Sequence, residues 1–136
     1  MIRFNKASKR YPGGFQALEN ISFHLKKGEM SFLTGHSGAG KSTLLKLISA
    51  IEPPTGGQVV VNGYDLNKIR AGKIPYFRRE IGIIFQDYKL LYDRTVFDNV
   101  ALPLIVSGTS FRDVGSRVRA ALGKVGLSGR EKASPI

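Results

Sequence analysis

The chain has 136 residues, the size of one ordinary domain, and 42% of them are hydrophobic, enough to form a core. It carries 21 Lys and Arg against 10 Asp and Glu, a net charge of +11, and no cysteine. This composition excludes a disulfide scaffold, a zinc–thiolate site and a cysteine nucleophile; with two histidines, His24 and His36, it also argues against a histidine-rich metal site.

Ile2 and Phe4 alternate with Arg3 and Asn5, which predicts a short half-buried strand. Tyr11-Pro12-Gly13-Gly14 is a turn signal. Ile21, Phe23 and Leu25 alternate with Ser22, His24 and Lys26 and predict a second strand, with His24 on its polar face. Lys27-Gly28 makes another turn, and Met30 to Thr34 reads as a buried strand. Leu44, Leu47, Ile48 and Ile51 share one helical face, and Pro53-Pro54 closes that helix. Thr55-Gly56-Gly57 reads as a loop, Val59 to Val61 as a strand, and Asn62-Gly63 as a hairpin turn. Ile81 to Phe85 is a further strand candidate. Val96 to Val106 reads as a helix interrupted by Pro103. Phe111, Val114, Val118, Ala121, Leu122 and Val125 form an amphipathic helical stripe, with Arg112, Arg117, Arg119 and Lys124 opposite. Residues 128–136 have no periodicity.

The apolar stretch Ala101 to Val106, broken by Pro103, is far too short to span a bilayer, and the N-terminus has no signal-peptide pattern. The chain is therefore read as soluble and intracellular. The basic excess is spread out: nine basic and four acidic groups in residues 1–68, twelve and six in 69–136. Such a charge favours polyanions without choosing among phosphates, nucleic acid and an anionic membrane. Lys68, Arg70, Lys73, Arg78 and Arg79 stand in a stretch with no acid between Asp65 and Glu80. A solvated basic face is the plainer reading of that run, and anionic lipid head groups are the other. No aromatic pattern or recognition-helix motif of a nucleic-acid binder accompanies the charge.

Gly35-His36-Ser37-Gly38-Ala39-Gly40-Lys41-Ser42 fits the phosphate-loop pattern of a glycine, four residues, then Gly-Lys-Ser. Glycines admit backbone angles closed to other residues, so successive N–H groups can point inward as an anion nest. A helix starting near Lys41 adds its positive end. In this reading Lys41 reaches the β- and γ-phosphates, Ser42 offers its hydroxyl to Mg²⁺, and Thr43 lies near the α- and β-phosphates. His36 contributes its backbone N–H more than its imidazole. The plain alternative is a glycine-rich turn between strand and helix.

With that loop in place, the chain resembles the nucleotide-binding domain of ABC ATPases. Ser37-Gly38-Ala39-Gly40-Lys41-Ser42-Thr43 is the ABC style of the loop. Tyr11 stands where the family places an aromatic residue that stacks on adenine. Phe85-Gln86-Asp87 is similar to the family's glutamine loop, in which the glutamine contacts Mg²⁺ and senses a membrane partner. The resemblance implies an α/β fold of the phosphate-loop NTPase type. Residues 1–136 would hold a β-rich subdomain, the loop core and the start of a helical subdomain, with the strand before the loop in a parallel core. It implies ATP and Mg²⁺ as cofactors, bound by Tyr11, Gly35, His36, Ser37, Gly38, Ala39, Gly40, Lys41, Ser42, Thr43 and Gln86, with Ser42 and Gln86 on the metal.

Within the family, Thr34–Leu47, Ile84–Asp87 and Asp93–Val100 resemble the cell-division branch. That resemblance implies an FtsX-like integral membrane partner, a second ATPase subunit forming a homodimer, and a cytoplasmic position on the inner face of the plasma membrane. Gln86 and Val96–Val106 would be the coupling surface. ATPases of lipoprotein-release and macrolide exporters share most of these motifs and stand as the alternative. The signature sequence, the Walker B strand with its catalytic glutamate, and the switch histidine are not found in these 136 residues. Asp87 ends an apolar run, but Gln86 interrupts it and no glutamate follows. The chain is accordingly expected to end before the signature and to bind ATP without hydrolysing it alone.

Overall fold

Two alternating segments near the N-terminus pair as long antiparallel strands, β1 (Ile2–Arg10) and β2 (Gln16–Leu25). The computed structural model describes residues 1–136 and divides them into two units, Met1–Ile83 and Ile84–Ile136. In the first unit, β3 (Gly56–Val61) and β4 (Tyr64–Asp65) complete a four-stranded antiparallel sheet of order β2-β1-β3-β4. Asn62 and Gly63 join β3 to β4 with left-handed φ values of 48° and 84°, the turn geometry that suits the twist of a hairpin. Gly56 and Gly57, expected in a loop, instead open β3.

One face of this sheet receives α1 (Lys41–Ile48). Leu44 and Leu47 project from α1 into a core with Phe4, Ala7, Leu18, Val59 and Val61. Phe77 also enters that core, from α2 (Ile74–Arg79), a six-residue helix that follows a 3₁₀ turn at Ala71–Lys73. The amphipathic reading missed α2 because six residues are too few to show a helical period. Pro75 in its first turn is the local signal for its start. Arg78 ties α2 to the end of α1, donating from Nε to the Ser49 carbonyl at 3.2 Å and from a terminal nitrogen to the Ala50 carbonyl at 2.9 Å.

β1 is irregular in a way that matters below. The register shifts between Phe4 and Ala7 against β2 and between Asn5 and Ser8 against β3, and Lys6 takes a left-handed φ of 46°. A bulge of this kind moves the following side chains to the opposite face of the sheet. The inward positions therefore run Phe4, Ala7, Lys9, and Lys9 is carried into the interior, 5% exposed.

Two expected strands are corrected. Met30–Thr34 and Ile81–Phe85 adopt no regular structure and join no sheet, so the parallel core strand expected before the loop is not formed. Both segments carry the apolar composition of a strand. A strand also needs a neighbour for its N–H and C=O groups, and the four strands pair only with one another. Met30 and Phe32 accordingly remain 83% and 82% exposed, and Ile84 is fully exposed.

The second unit is a helical pair, α3 (Val96–Val106) and α4 (Phe111–Lys124). Thr95 and Asp98 form a reciprocal capping box at the start of α3. Asn99 fastens the preceding loop, accepting from the Leu91 N–H at 2.8 Å and donating to the Leu91 carbonyl at 3.0 Å. Ala101, Val114, Val118 and Leu122 are its buried core. The buried stripe of α4 is narrower than the sequence pattern: Phe111, Ala121 and Val125 are exposed. Residues 128–136 form no element, yet the carbonyls of Glu131 and Ala133 accept from the N–H groups of Phe97 and Val96.

Candidate functional site

The glycine-rich loop runs from Gly35 to Gly40 and ends as the N-cap of α1. Gly40 has a φ of 88°, and a Cβ there would lie 2.6 Å from the Ala17 carbonyl oxygen and 2.7 Å from the Leu18 side chain. Only glycine suits that place, for two independent reasons: the backbone sign and the close passage of β2. The end of the loop is thereby seated on the sheet. Residues 35–39, in contrast, are exposed.

Lys41 folds back over the loop. Its ammonium donates to the Gly35 and His36 carbonyls, both at 2.6 Å. These two bonds place a positive charge at the loop's mouth and draw Gly35 and His36 toward the helix start. The His36 Nδ1 lies 2.7 Å from the Ser37 carbonyl, so the ring is used within the loop. No side chain caps α1, and the N–H groups of Lys41, Ser42 and Thr43 have no protein acceptor. Free first-turn N–H groups, a helix dipole and an ammonium converge on one spot, the arrangement that holds phosphate. The Ser42 hydroxyl is exposed and has no hydrogen-bond partner.

Tyr11 comes to the same place from the sheet. It sits in the β1–β2 turn, where its N–H donates to the Phe15 carbonyl at 2.9 Å and its carbonyl accepts from Gly14 at 3.1 Å. Its hydroxyl is 3.5 Å from the Thr43 hydroxyl. Tyr11 and Gly35–Thr43 are thus gathered within the first unit. Gln86 lies in the second unit, exposed in a turn closed by the Tyr88 N–H on the Phe85 carbonyl.

Residues that pattern-reading missed lie behind Tyr11. The buried Lys9 ammonium stands 5.1 Å from the Tyr11 ring centre. It donates to Glu52 Oε2 and to the Pro53 carbonyl, each at 2.8 Å. This pair links β1 to the segment after α1 and backs the ring with a cation. A lysine in a strand reads as exposed unless the bulge before it is known. The left-handed Lys6 that creates the bulge leaves no mark in the amino-acid pattern.

No group of three or more His, Asp or Glu side chains gathers to hold a metal, and no helix is long and apolar enough to cross a membrane. Comparison with known proteins then decides the family. The ABC transporter family matches residues 18–135. The chain belongs to the ABC transporter family. Its fold is that of the family's phosphate-loop cassettes. The chain superposes with a TM-score of 0.89 on the ATP-binding cassette MJ0796, solved as a dimer in a post-hydrolysis state with ADP and Pi. The two are 30% identical, over 99% of this chain and 62% of that one.

Among curated family members, the cell division ATP-binding protein FtsE of Escherichia coli (strain K12) is 57% identical over all 136 residues. FtsE of Haemophilus influenzae is 52% identical over 134 residues, 98% of this chain. The methionine import ATP-binding protein MetN of Geobacillus kaustophilus is 41% identical over 99% of the chain and 40% of its own length. The chain spans 61% of the length of either FtsE relative.

Proposed function

We propose that this chain is the ATP-binding part of a cell-division ABC ATPase of the FtsE type. The observation that carries the reading is the loop at the head of α1, with its unpartnered first-turn N–H groups and Lys41 across its mouth. The 57% identity to an FtsE over the whole chain supports the cell-division branch over the methionine-import one.

In this reading the N–H groups of Gly38, Gly40, Lys41, Ser42 and Thr43 hold the β- and γ-phosphates of ATP, while that of Ala39 stays on the His36 carbonyl, and Lys41 turns from its two carbonyls to the phosphates. Tyr11 stacks on the adenine, with the Lys9 ammonium against its other side. Ser42 would supply an oxygen to Mg²⁺, and Gln86 is read as a metal ligand from the family's glutamine loop alone. The donor set suits the ion: Mg²⁺ in nucleotide sites is held chiefly by phosphates and water, with one or two protein oxygens, so an acidic cluster is not required. When bound, Mg²⁺ neutralises charge on the β- and γ-phosphates.

Residues 1–136 are read as the N-terminal part of the nucleotide-binding domain. The complete protein would pair with a second ATPase subunit and an FtsX-like integral membrane protein on the inner face of the plasma membrane. ATP binding and hydrolysis would there be coupled to events at the septum. Hydrolysis also needs a group that orients the attacking water. No such residue is assigned in this chain, and phosphate release by it alone is expected to be absent.

A thermal melt with and without Mg·ATP tests the central point, with Lys41→Ala in parallel. A ligand that binds only the folded state raises the midpoint, by about 2.7 kcal/mol at a hundredfold excess over Kd. ATP is expected to raise the midpoint of the wild-type chain and not that of the variant. A cooperative melt indifferent to ATP refutes the reading. Copurification with a division protein rather than a transport permease checks the branch.

A further inference from the structure

On the first unit, a groove of about 720 Å³ lies beside β4 and α2, and Lys68, Arg70, Lys73 and the exposed ring of Tyr76 line it. The Lys73 ammonium stands 5.6 Å and the Arg79 guanidinium 5.1 Å from the centre of the Tyr76 ring. One aromatic ring therefore collects two like charges, with Lys68 and Arg70 along the same groove. The groove also has two acids, and neither forms an ion pair with a cation of the groove. Glu80 accepts from the Tyr64 hydroxyl at 2.6 Å. Asp65 accepts from the Gln58 amide at 2.8 Å and the Asn67 N–H at 3.0 Å. The chain's three ion pairs, Lys9–Glu52, Lys89–Asp87 and Arg94–Asp93, all lie elsewhere.

Four cations gathered against two carboxylates leave a positive excess, and an anion in the groove relieves the remaining repulsion. The ring between them narrows the ligand. Tyrosine pairs an apolar body with a polar tip and suits the boundary of a bilayer. A single exposed tyrosine is not a track of stacking platforms for successive bases. We propose that this groove seats the head groups of anionic phospholipids, giving the chain a direct membrane contact of its own. Lys68, Arg70, Lys73 and Arg79 meet the phosphates, and Tyr76 enters the head-group layer. This goes beyond the nucleotide reading and does not depend on it, because none of these residues belongs to the loop.

Flotation of the chain with phosphatidylcholine vesicles, with and without phosphatidylglycerol, tests the proposal. A chain of net charge +11 is attracted to any anionic surface, so the control must match charge. One variant carries Lys68→Gln, Arg70→Gln, Lys73→Gln and Arg79→Gln. Its control carries Arg112→Gln, Arg117→Gln, Arg119→Gln and Lys124→Gln on α4. All eight side chains are exposed, and both variants are expected to fold, with circular dichroism melts as the check. The groove variant is expected to lose about fivefold in affinity for anionic vesicles per cation removed, the factor given by about 1 kcal/mol for each Lys or Arg near such a surface. The α4 control is expected to lose much less, and Tyr76→Ala to weaken binding where Tyr76→Phe does not. The groove variant should keep its Mg·ATP shift, so the two readings can fail separately. Equal losses in the two four-site variants, or none in either, overturn the proposal. So does release from vesicles by inorganic phosphate at constant ionic strength, which marks a small-anion site. A larger loss for an oligonucleotide than for vesicles also overturns it, in favour of nucleic acid.

Discussion

Gly56–Val61 and Met30–Thr34 are both short and apolar, and both lie in the first unit. Val59, Val60 and Val61 are buried, whereas Met30 and Phe32 stand more than four-fifths exposed. The difference is the neighbour. β3 pairs with β1 on one side and β4 on the other, and its side chains meet α1 beneath. Met30–Thr34 pairs with nothing. Burial of a strand is thus a property of the pair and not of the segment. The same contrast divides the phosphate loop. Its end at Gly40 rests on the sheet against Ala17 and Leu18, while its start at Gly35 follows the unpaired segment and is drawn in by the Lys41 ammonium.

The widest expected gap tests this contrast directly. Leu47→Ala removes a fully buried side chain beneath the sheet and should cost about 2–5 kcal/mol in urea denaturation. Phe32→Ala, a larger truncation, should stay within about 0.5 kcal/mol. A cost at Phe32 close to that at Leu47 would mean that residues 30–34 are packed after all.

The next pair divides the loop itself. Gly40→Ala meets both a positive φ and the Ala17 carbonyl, and should cost about 1–3 kcal/mol and abolish the ATP-dependent midpoint shift. Gly38→Ala meets a φ of +81° but open space, and its cost should be nearer the low end, about 1 kcal/mol. Equal costs would remove the distinction between an anchored and a free half.

Lys9→Met examines the sheet side from behind Tyr11. It leaves Glu52 without its partner, and a Glu52 side chain 31% exposed can still reach water. The loss should be about 1–2 kcal/mol, below the 3–5 kcal/mol of a fully buried broken pair. The ATP shift should weaken with it, and an unchanged shift would separate the pair from Tyr11's role.

The smallest effect belongs to the second unit, which has no part in the contrast. The Thr95 side-chain and backbone donors hold the Asp98 carboxyl below its usual 3.8. Since the folded value is the lower one, this stabilisation is complete above the unfolded value and fades as pH falls through the lowered one. Asp98→Asn should therefore flatten the acid limb of the urea midpoint and shift it little at neutral pH. An unchanged acid limb would show that the capping carboxylate is not what titrates there.

How much of this was legible beforehand varied with the physical origin of each feature. The loop, the start of α1, α3 and the β3–β4 turn were readable because their signals are local: glycine spacing, an apolar helical stripe, an Asn-Gly pair. The end of α1 was not: it stops at Ile48, before the expected Pro53-Pro54 stop, where Ala50 turns left-handed with a φ of 53°, and Ile51 falls outside it, 42% exposed. The fate of Met30–Thr34 was not, because composition states that a segment can be a strand and not whether a partner exists. Lys9 was hidden for a different reason. Its inward position depends on the bulge at Lys6, and a one-residue shift reverses which side chains face the core. Tyr11 and Gln86 read as ordinary loop residues until a family resemblance gave them roles, and the fold then brought Tyr11 to Thr43.

The central claim is that Gly35–Thr43 is a phosphate site where the free N–H groups of Lys41, Ser42 and Thr43 meet the ligand. Amide hydrogen exchange across the chain, with and without Mg·ATP, tests it most directly. The account predicts slowed exchange from Gly38 to Thr43 and at the Tyr11 turn, with the amides of α4 unchanged. Slowing confined to other segments, or none in the loop at saturating nucleotide, would contradict it.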